Sequence, residues 1–238
     1  IVNSDDAFAS LFTGLAGARR LLRFGLANSA AISATELRLG ADSRFVLKTP
    51  HGDAVVALPL PGRHNVMNAL AAAAVGIALD VPLATIVAGL ENAPGIAGRL
   101  AHKAGPHGSV LIDDSYNANP GSTAAAIATL MLEPGEAWLV LGDMKELGPE
   151  AERLHAEIGA LAQRSGVARL FTVGRPARAA SAAFGIGAEH FEDQASLVAT
   201  LHSDLHAGVR CLVKGSRSSA MDRVVSALVD GGEDAHAA

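Results

Sequence analysis

The chain has 238 residues, half of them hydrophobic, a net charge of −5 and a single cysteine. That length accommodates one large domain or two modest ones with a real core. The mildly acidic balance excludes a basic nucleic-acid face, a lone cysteine excludes a disulfide framework, and the longest apolar run, Ala69 to Leu79, is too short and alanine-rich to insert in a membrane.

The chain opens on Ile1-Val2-Asn3-Ser4-Asp5-Asp6. Ile1-Val2 reads as the end of a strand and the next four residues as its loop, so a further N-terminal portion is expected ahead of them. No secretory signal pattern is present, and a cytoplasmic location is expected. Asp6 to Leu15 reads as a short helix. From about Arg20 to Pro59 the pattern changes to strands, beginning with Arg19-Arg20-Leu21-Leu22-Arg23, read as a strand with a solvated face. Ser43 to Thr49 alternates partly, His51-Gly52-Asp53 reads as a hairpin turn and Ala54 to Leu58 as the return strand. Helices follow over Asn65 to Leu79 and Pro82 to Leu90, and Ala93 to Gly98 reads as a hinge.

Beyond the hinge the rhythm is strand, helix, strand, helix. Strands are expected at 110–112, 138–141, 170–173, 190–191 and 211–213, and helices at 122–132, 150–164, 177–183, 195–205 and 218–229. This alternation predicts an α/β fold with a mostly parallel sheet and helices on both faces. Cys211 lies in an apolar run and reads as a buried structural thiol. The tail after Asp230 reads as disordered.

Polar loops follow three of these strands. Asp113-Asp114-Ser115-Tyr116-Asn117-Ala118-Asn119-Pro120 carries two carboxylates, two amides and a phenol, more than a turn requires. Asp114 has the chemistry to accept ribose hydroxyls, and Asn117 and Asn119 to hold a base or a peptide backbone; a helix-capping loop is the alternative. Leu141 to Gly148 and Lys214-Gly215-Ser216-Arg217 supply cationic groups and backbone N–H donors suited to an anion, a plain turn being the alternative for each alone. At the start of the first long helix, Asn65 and Asn68 share one face and match an adenine edge, or else Asn65 is an N-cap and Asn68 a solvated residue. Arg99, at the hinge, reads either as a phosphate clamp or as a surface arginine. His155 reads as a solvated helical residue. There is no Gly-x-x-x-x-Gly-Lys-Ser/Thr loop, no Gly-x-Gly-x-x-Gly and no His/Cys cluster suited to a metal.

Taken together and in order, Asn3 to Asp6, Gly62-Arg63-His64-Asn65-Val66-Met67-Asn68, Gly98-Arg99-Leu100, Asp113 to Pro120, Leu141 to Gly148 and Lys214 to Arg217 closely resemble the Mur ligases of bacterial cell-wall synthesis. Tyr116 to Pro120, Gly142-Asp143-Met144 and Lys214 to Arg217 are most similar to the MurF type, which joins D-alanyl-D-alanine to UDP-N-acetylmuramoyl-tripeptide. The resemblance implies that residues 1–97 are the later part of a central ATPase domain and 98–238 a Rossmann-like C-terminal domain. The N-terminal domain and the front of the central domain, with the phosphate-binding loop and the magnesium ligands, fall outside the chain. The implied activity is ATP- and Mg2+-dependent formation of an acyl phosphate, attacked by the amine of D-alanyl-D-alanine, in a monomeric cytoplasmic enzyme of peptidoglycan synthesis. By the same resemblance Asn65 and Asn68 lie near the adenine, Arg99 is catalytic and reaches the phosphates, and Asp114 binds ribose. Tyr116, Asn117 and Asn119 line the nucleotide and dipeptide side of the cleft, and Lys214, Ser216 and Arg217 border the incoming substrate.

On this reading the chain alone is inactive or nearly so, because little in it positions or neutralises a γ-phosphate. The alternatives are a non-catalytic nucleotide- or dipeptide-binding module derived from a Mur ligase, and a relic whose loops are merely inherited. Residues 1–97 are expected to be less stable than 98–238 and prone to associate.

Overall fold

The structure, a computed structural model, describes residues 1–27 and 29–230. The tail after Asp230, expected to be disordered, lies outside the described residues. The chain divides into two compact units, Ile1–Pro94 and Gly95–Ala238.

In the first unit, β1 (Val2–Asn3) lies parallel to β2 (Arg23–Phe24), with α1 (Ala9–Ala16) between them in the chain. The arginine cluster expected to be a strand enters one only at Arg23; Arg19 to Leu22 are outside it, and all three arginines are exposed. Adjacent charged residues leave that stretch without an alternating apolar face to bury. Three antiparallel strands follow, β3 (Ser33–Leu39), β4 (Ser43–Thr49) and β5 (Gly52–Leu58). β4 keeps the two-residue period, burying Phe45 and Leu47 and exposing Arg44. The β3–β4 register slips between Thr35 and Arg38, where Glu36 takes a left-handed φ of 54°. α2 (Arg63–Ala78) presents Val66, Leu70, Ala73 and Ile77, spaced three and four apart, to Phe45, Leu47, Val56 and Leu58 of the sheet. α3 (Leu83–Glu91) closes this core with Ile86 and Leu90. Around α1 the pattern is reversed: Phe8, Leu11, Phe12 and Leu15 remain 51–67% exposed. A pocket of about 490 Å³ lined by Ile1, Phe12 and Leu21 among others opens there.

The second unit carries a six-stranded sheet. Its elements in chain order are β6 (Ala101–Ala104), β7 (Val110–Asp114), α4 (Pro120–Leu130), β8 (Glu136–Gly142), α5 (Ala151–Ser165), β9 (Arg169–Val173), α6 (Arg178–Phe184), β10 (Ala188–Phe191), α7 (Gln194–Asp204), β11 (Val209–Lys214) and α8 (Asp222–Asp230). The spatial order is β10-β9-β8-β11-β7-β6, parallel except for β6. The five expected strands all form, and β7 runs two residues further than the sequence suggests. Asp113 and Asp114 are therefore strand residues, registered against Val213 and Lys214 of β11, and not part of the turn.

The steps from β7 to β10 carry α4, α5 and α6, whose Ile127, Ile158 and Phe184 pack with Ile112, Leu139 and Leu170 on one face. The return from β10 to β11 reverses direction, so a right-handed crossover places α7 on the opposite face. There Leu201, with Val225 of α8, packs on Leu111, Trp138, Phe171 and Cys211. Cys211 is fully buried, and burial pushes its thiol up to about 12. β6 had no counterpart in the sequence reading. It is a short, largely exposed edge strand of mixed polarity, without the alternation that marks a half-buried strand.

Candidate functional site

In this sheet the five parallel strands end at the same edge, and the loops beyond such an edge are where ligands bind. Here the loops after β7, β8 and β11 are tied to one another by side chains that leave the strand ends.

The central tie follows from strand register. Asp114 and Lys214 are direct neighbours on β7 and β11. Both are buried, at 9% and 2% exposure, and Lys214 Nζ lies 2.5 Å from Asp114 Oδ2. A buried ion pair is tolerated only when its remaining donors and acceptors are also met. Lys214 Nζ accordingly donates a second bond to the Asn117 carbonyl, 2.9 Å away, which holds the loop after β7 over the sheet edge. Asp113 points to the other side of its strand. It takes Lys103 of β6 at 2.9 Å and closes its own turn by accepting from the Ser115 hydroxyl at 2.6 Å.

Ser216 forms the second tie. Its N–H donates to the Asp143 carbonyl (3.0 Å), its hydroxyl donates to the Ala118 carbonyl (3.1 Å), and the same hydroxyl accepts from Lys145 N–H (2.7 Å). One side chain thereby joins all three loops. Asp143 is buried at their centre, accepting from Ala177 N–H at 3.1 Å and from Lys145 Nζ at 2.7 Å. The glycines flanking this junction are closely packed: a Cβ on Gly215 would stand 2.5 Å from the Met221 side chain and one on Gly142 2.7 Å from it, so Met221 would have to shift.

Tyr116 faces outward from the first loop, 45% exposed. The Arg99 guanidinium lies 4.6 Å from its ring centroid and that of Arg217 lies 5.6 Å away. Two exposed guanidinium groups held on one aromatic ring give an anion two fork-shaped donors from distant parts of the sequence. Gly98 makes this approach possible: it sits at a φ of +72°, its carbonyl accepts from Tyr116 N–H at 3.0 Å, and a Cβ on it would stand 3.2 Å from the Tyr116 nitrogen.

Other expected site residues have local duties as well. Asn119 is the N-cap of α4: its Oδ1 accepts from Ser122 N–H at 2.8 Å and the Ser122 hydroxyl bonds back, with Pro120 at the first helical position. Asn117 Oδ1 accepts from Ala118 N–H. Asn65 and Asn68 lie in the first unit, on the first turns of α2. Gly62 is the N-cap of that helix, so Asn65 is not; Asn65 Nδ2 donates to the Pro61 carbonyl at 2.8 Å, and Asn68 reaches the Asn65 amide oxygen at 3.4 Å. The second unit thus brings together Arg99, Asp114, Tyr116, Asn117, Asn119, Lys214, Ser216 and Arg217.

His155 corrects its expectation. It is fully buried on α5, not solvated, and its Nε2 accepts from Met144 N–H at 2.8 Å while Nδ1 faces the Ala151 carbonyl at 2.6 Å. Its spacing with Ile158, Gly159 and Ala162, all buried, is three, four and seven residues, the signature of a core-facing stripe that would have revealed it in the sequence. Gln194 also went unseen: from the start of α7 its Nε2 donates to the carbonyls of Ser219 (2.7 Å) and Ala220 (3.3 Å), bracing the loop that carries Arg217. Among the described residues no group of three or more His, Cys, Asp or Glu side chains is placed to hold a metal.

A model of the Mur ligase glutamate ligase domain matches residues 98–217, and one of the Mur ligase middle domain matches residues 1–76. The chain is 42% identical over 237 residues to the UDP-N-acetylmuramoyl-tripeptide–D-alanyl-D-alanine ligase of Escherichia coli (strain K12), covering 98% of this chain and 52% of that protein. The crystal structure of MurF from Acinetobacter baumannii superposes with a TM-score of 0.88 at 34% identity, over 96% of this chain and 51% of that one. MurF ligase from Thermotoga maritima, solved in complex with ADP, shares the fold at 20% identity with a TM-score of 0.81, over 95% of this chain and 52% of that one. The chain spans about half the length of these relatives.

Proposed function

The chain belongs to the Mur ligase family, and from that premise we propose that it serves the ATP-dependent ligation of D-alanyl-D-alanine to UDP-N-acetylmuramoyl-tripeptide in cytoplasmic peptidoglycan precursor synthesis. Residues 1–97 form the later part of the central ATP-binding domain and residues 98–238 the C-terminal domain. The observation that supports this most is the junction of three polar loops at the carboxyl edge of the second sheet, in a chain 42% identical to a ligase of that specificity.

The chemistry has two steps. A substrate carboxylate oxygen takes the γ-phosphoryl group of ATP, releasing ADP and leaving an acyl phosphate. The amine of D-alanyl-D-alanine then attacks the acyl carbon, an amide forms, and inorganic phosphate departs as the amine loses its proton. Phosphoryl transfer relies on positioning and charge neutralisation. Arg99 and Arg217, held on Tyr116, supply two exposed cations for phosphate or carboxylate oxygens. Asp114 offers a carboxylate to ribose, with Lys214 fixing its rotamer. Asn117 and Asn119 border the dipeptide, and Asn65 and Asn68 of the first unit meet the adenine. Among the described residues no group of three or more His, Cys, Asp or Glu side chains is placed to hold Mg2+, which when bound would neutralise phosphate charge.

The chain carries no Gly-x-x-x-x-Gly-Lys-Ser/Thr loop, and by itself it turns over little or nothing. The test is phosphate release from ATP by this chain extended at its N-terminus with the corresponding portion of a MurF relative, with the tripeptide substrate present, on addition of D-alanyl-D-alanine. Arg99→Ala is expected to lower that rate on the order of a hundredfold or more, the scale of one lost transition-state donor. A rate equal to the unmodified enzyme removes Arg99 from the reaction.

A further inference from the structure

Among the described residues His155 is the one fully buried histidine beside the loop junction, and both its nitrogens are committed. Because Nε2 accepts from Met144 N–H, the proton must sit on Nδ1, which donates to the Ala151 carbonyl. The ring is neutral and of fixed tautomer. Met144 lies between Asp143 and Lys145, the two residues through which this loop reaches Ser216. The connection therefore runs from α5 through His155 to the Met144 amide, through Lys145 N–H to the Ser216 hydroxyl, and on to the Ala118 carbonyl of the loop bearing Asn117 and Asn119.

We propose that His155 is a positioning residue for the ligation: its neutral ring holds the 143–147 loop, and through Ser216 the loops on either side, in the arrangement that receives the amine substrate. This rests on the ligase reading above. Its chemistry is that of an acceptor that vanishes on protonation. A proton on Nε2 would face the Met144 N–H donor to donor, so the loop must let go. Burial acts in the same direction, lowering the pKa of the ring, with the Ala151 carbonyl and Asp143 working to raise it and Lys145 to lower it. Asp143, the first residue beyond β8, and Lys145, two residues further along the same loop, are the charged groups acting on the ring. The neutral state thus persists at neutral pH, and the anchor is lost as pH falls from the ordinary histidine value through the lowered one.

Two variants separate this role from simple packing. His155→Gln keeps an uncharged acceptor on a side chain of similar reach and cannot titrate. His155→Leu keeps bulk and leaves the Met144 amide unsatisfied. The experiment reads Met144 amide hydrogen exchange and the His155 ring nitrogens by NMR in the 238-residue chain, and KM and kcat in the chain extended at its N-terminus with the corresponding portion of a MurF relative. Expected is an Nδ1-protonated ring, and Met144 protection that falls on acidification in the native chain and stays flat in H155Q. H155L is expected to lose protection and to raise KM for D-alanyl-D-alanine on the order of tenfold, with a smaller change in kcat, while H155Q recovers most of that loss. Met144 protection that is equal in H155L and the native chain overturns the anchor. Lost protection with an unchanged KM overturns its link to the substrate. An extended enzyme with His155 in place that makes no amide overturns the ligase reading and the substrate half with it, while the exchange data still decide the anchor.

Discussion

Asp114 and Lys214 were both recognisable in the sequence as polar residues at strand ends, but not as partners. They are 100 residues apart, and only the register of β7 against β11 makes them neighbours. The pairing alters what each can do: the Lys214 ammonium is committed to Asp114 and to the Asn117 carbonyl, so its contribution to a ligand runs through the loop it holds. Removing one member of a buried pair strands the other as an uncompensated charge. Lys214→Met is therefore expected to destabilise the second unit by about 3–5 kcal/mol in urea denaturation; a loss under about 1 kcal/mol would mean the pair is not desolvated as described. His155 escaped notice for a different reason. Its polar side chain was assigned to solvent by residue type, when its place on the apolar stripe of α5 assigned it to the core.

Most elements of the second unit were legible because apolar runs of strand length alternate with helical patterns, which is the property that a sheet covered on both faces imposes. The exceptions sit where packing is thin. β6 is an edge strand, and α8 begins at Asp222, not at Ser218, because Arg217 to Ser219 form a 3-10 turn and Ala220 takes a left-handed φ of 49°. Helix packing gives a sharp test: a Cβ at Gly159 of α5 would stand 2.0 Å from the Ala180 carbonyl oxygen on α6, and backbone cannot give way cheaply. Gly159→Ala is expected to destabilise by about 1–3 kcal/mol, the scale of overpacking. Gly89→Ala on α3, where nothing lies within 4 Å, is expected to gain about 0.4–1 kcal/mol. Melting curves of the two variants should move in opposite directions. The same edge holds a pH-sensitive contact, His102 on β6 against Glu133 beyond α4 at 2.7 Å. The hydrogen bond to Glu133 raises the His102 pKa in the folded state, so the stabilisation is complete below the unfolded value and is lost as pH rises through the folded one. His102→Gln should flatten the stability profile over that window; an unchanged slope would show that the pair is fully screened.

At the scale of the whole chain, the two units differ in how they bury their apolar surface. The second encloses both faces of its sheet, with Leu139, Phe171 and Leu212 fully buried. The first leaves Phe8, Leu11, Phe12 and Leu15 exposed around α1, a patch of the kind that associates. Amide exchange is expected to be faster throughout residues 1–94 than in the sheet of 95–230, and the chain to associate at high concentration; equal protection in both would contradict this. The family was legible in the sequence because its polar loops recur together in one order, whereas the way they interlock required the register of the sheet. The account stands most directly on one measurement: mass-spectrometric detection of UDP-N-acetylmuramoyl-pentapeptide made from the tripeptide precursor, ATP, Mg2+ and D-alanyl-D-alanine. This chain is compared with a version extended at its N-terminus by the corresponding portion of a MurF relative. Pentapeptide from the extended protein, and little or none from the 238-residue chain, is the predicted result; pentapeptide from neither would contradict the ligase function, and efficient production by the chain alone would contradict its dependence on a phosphate-binding loop supplied from outside it.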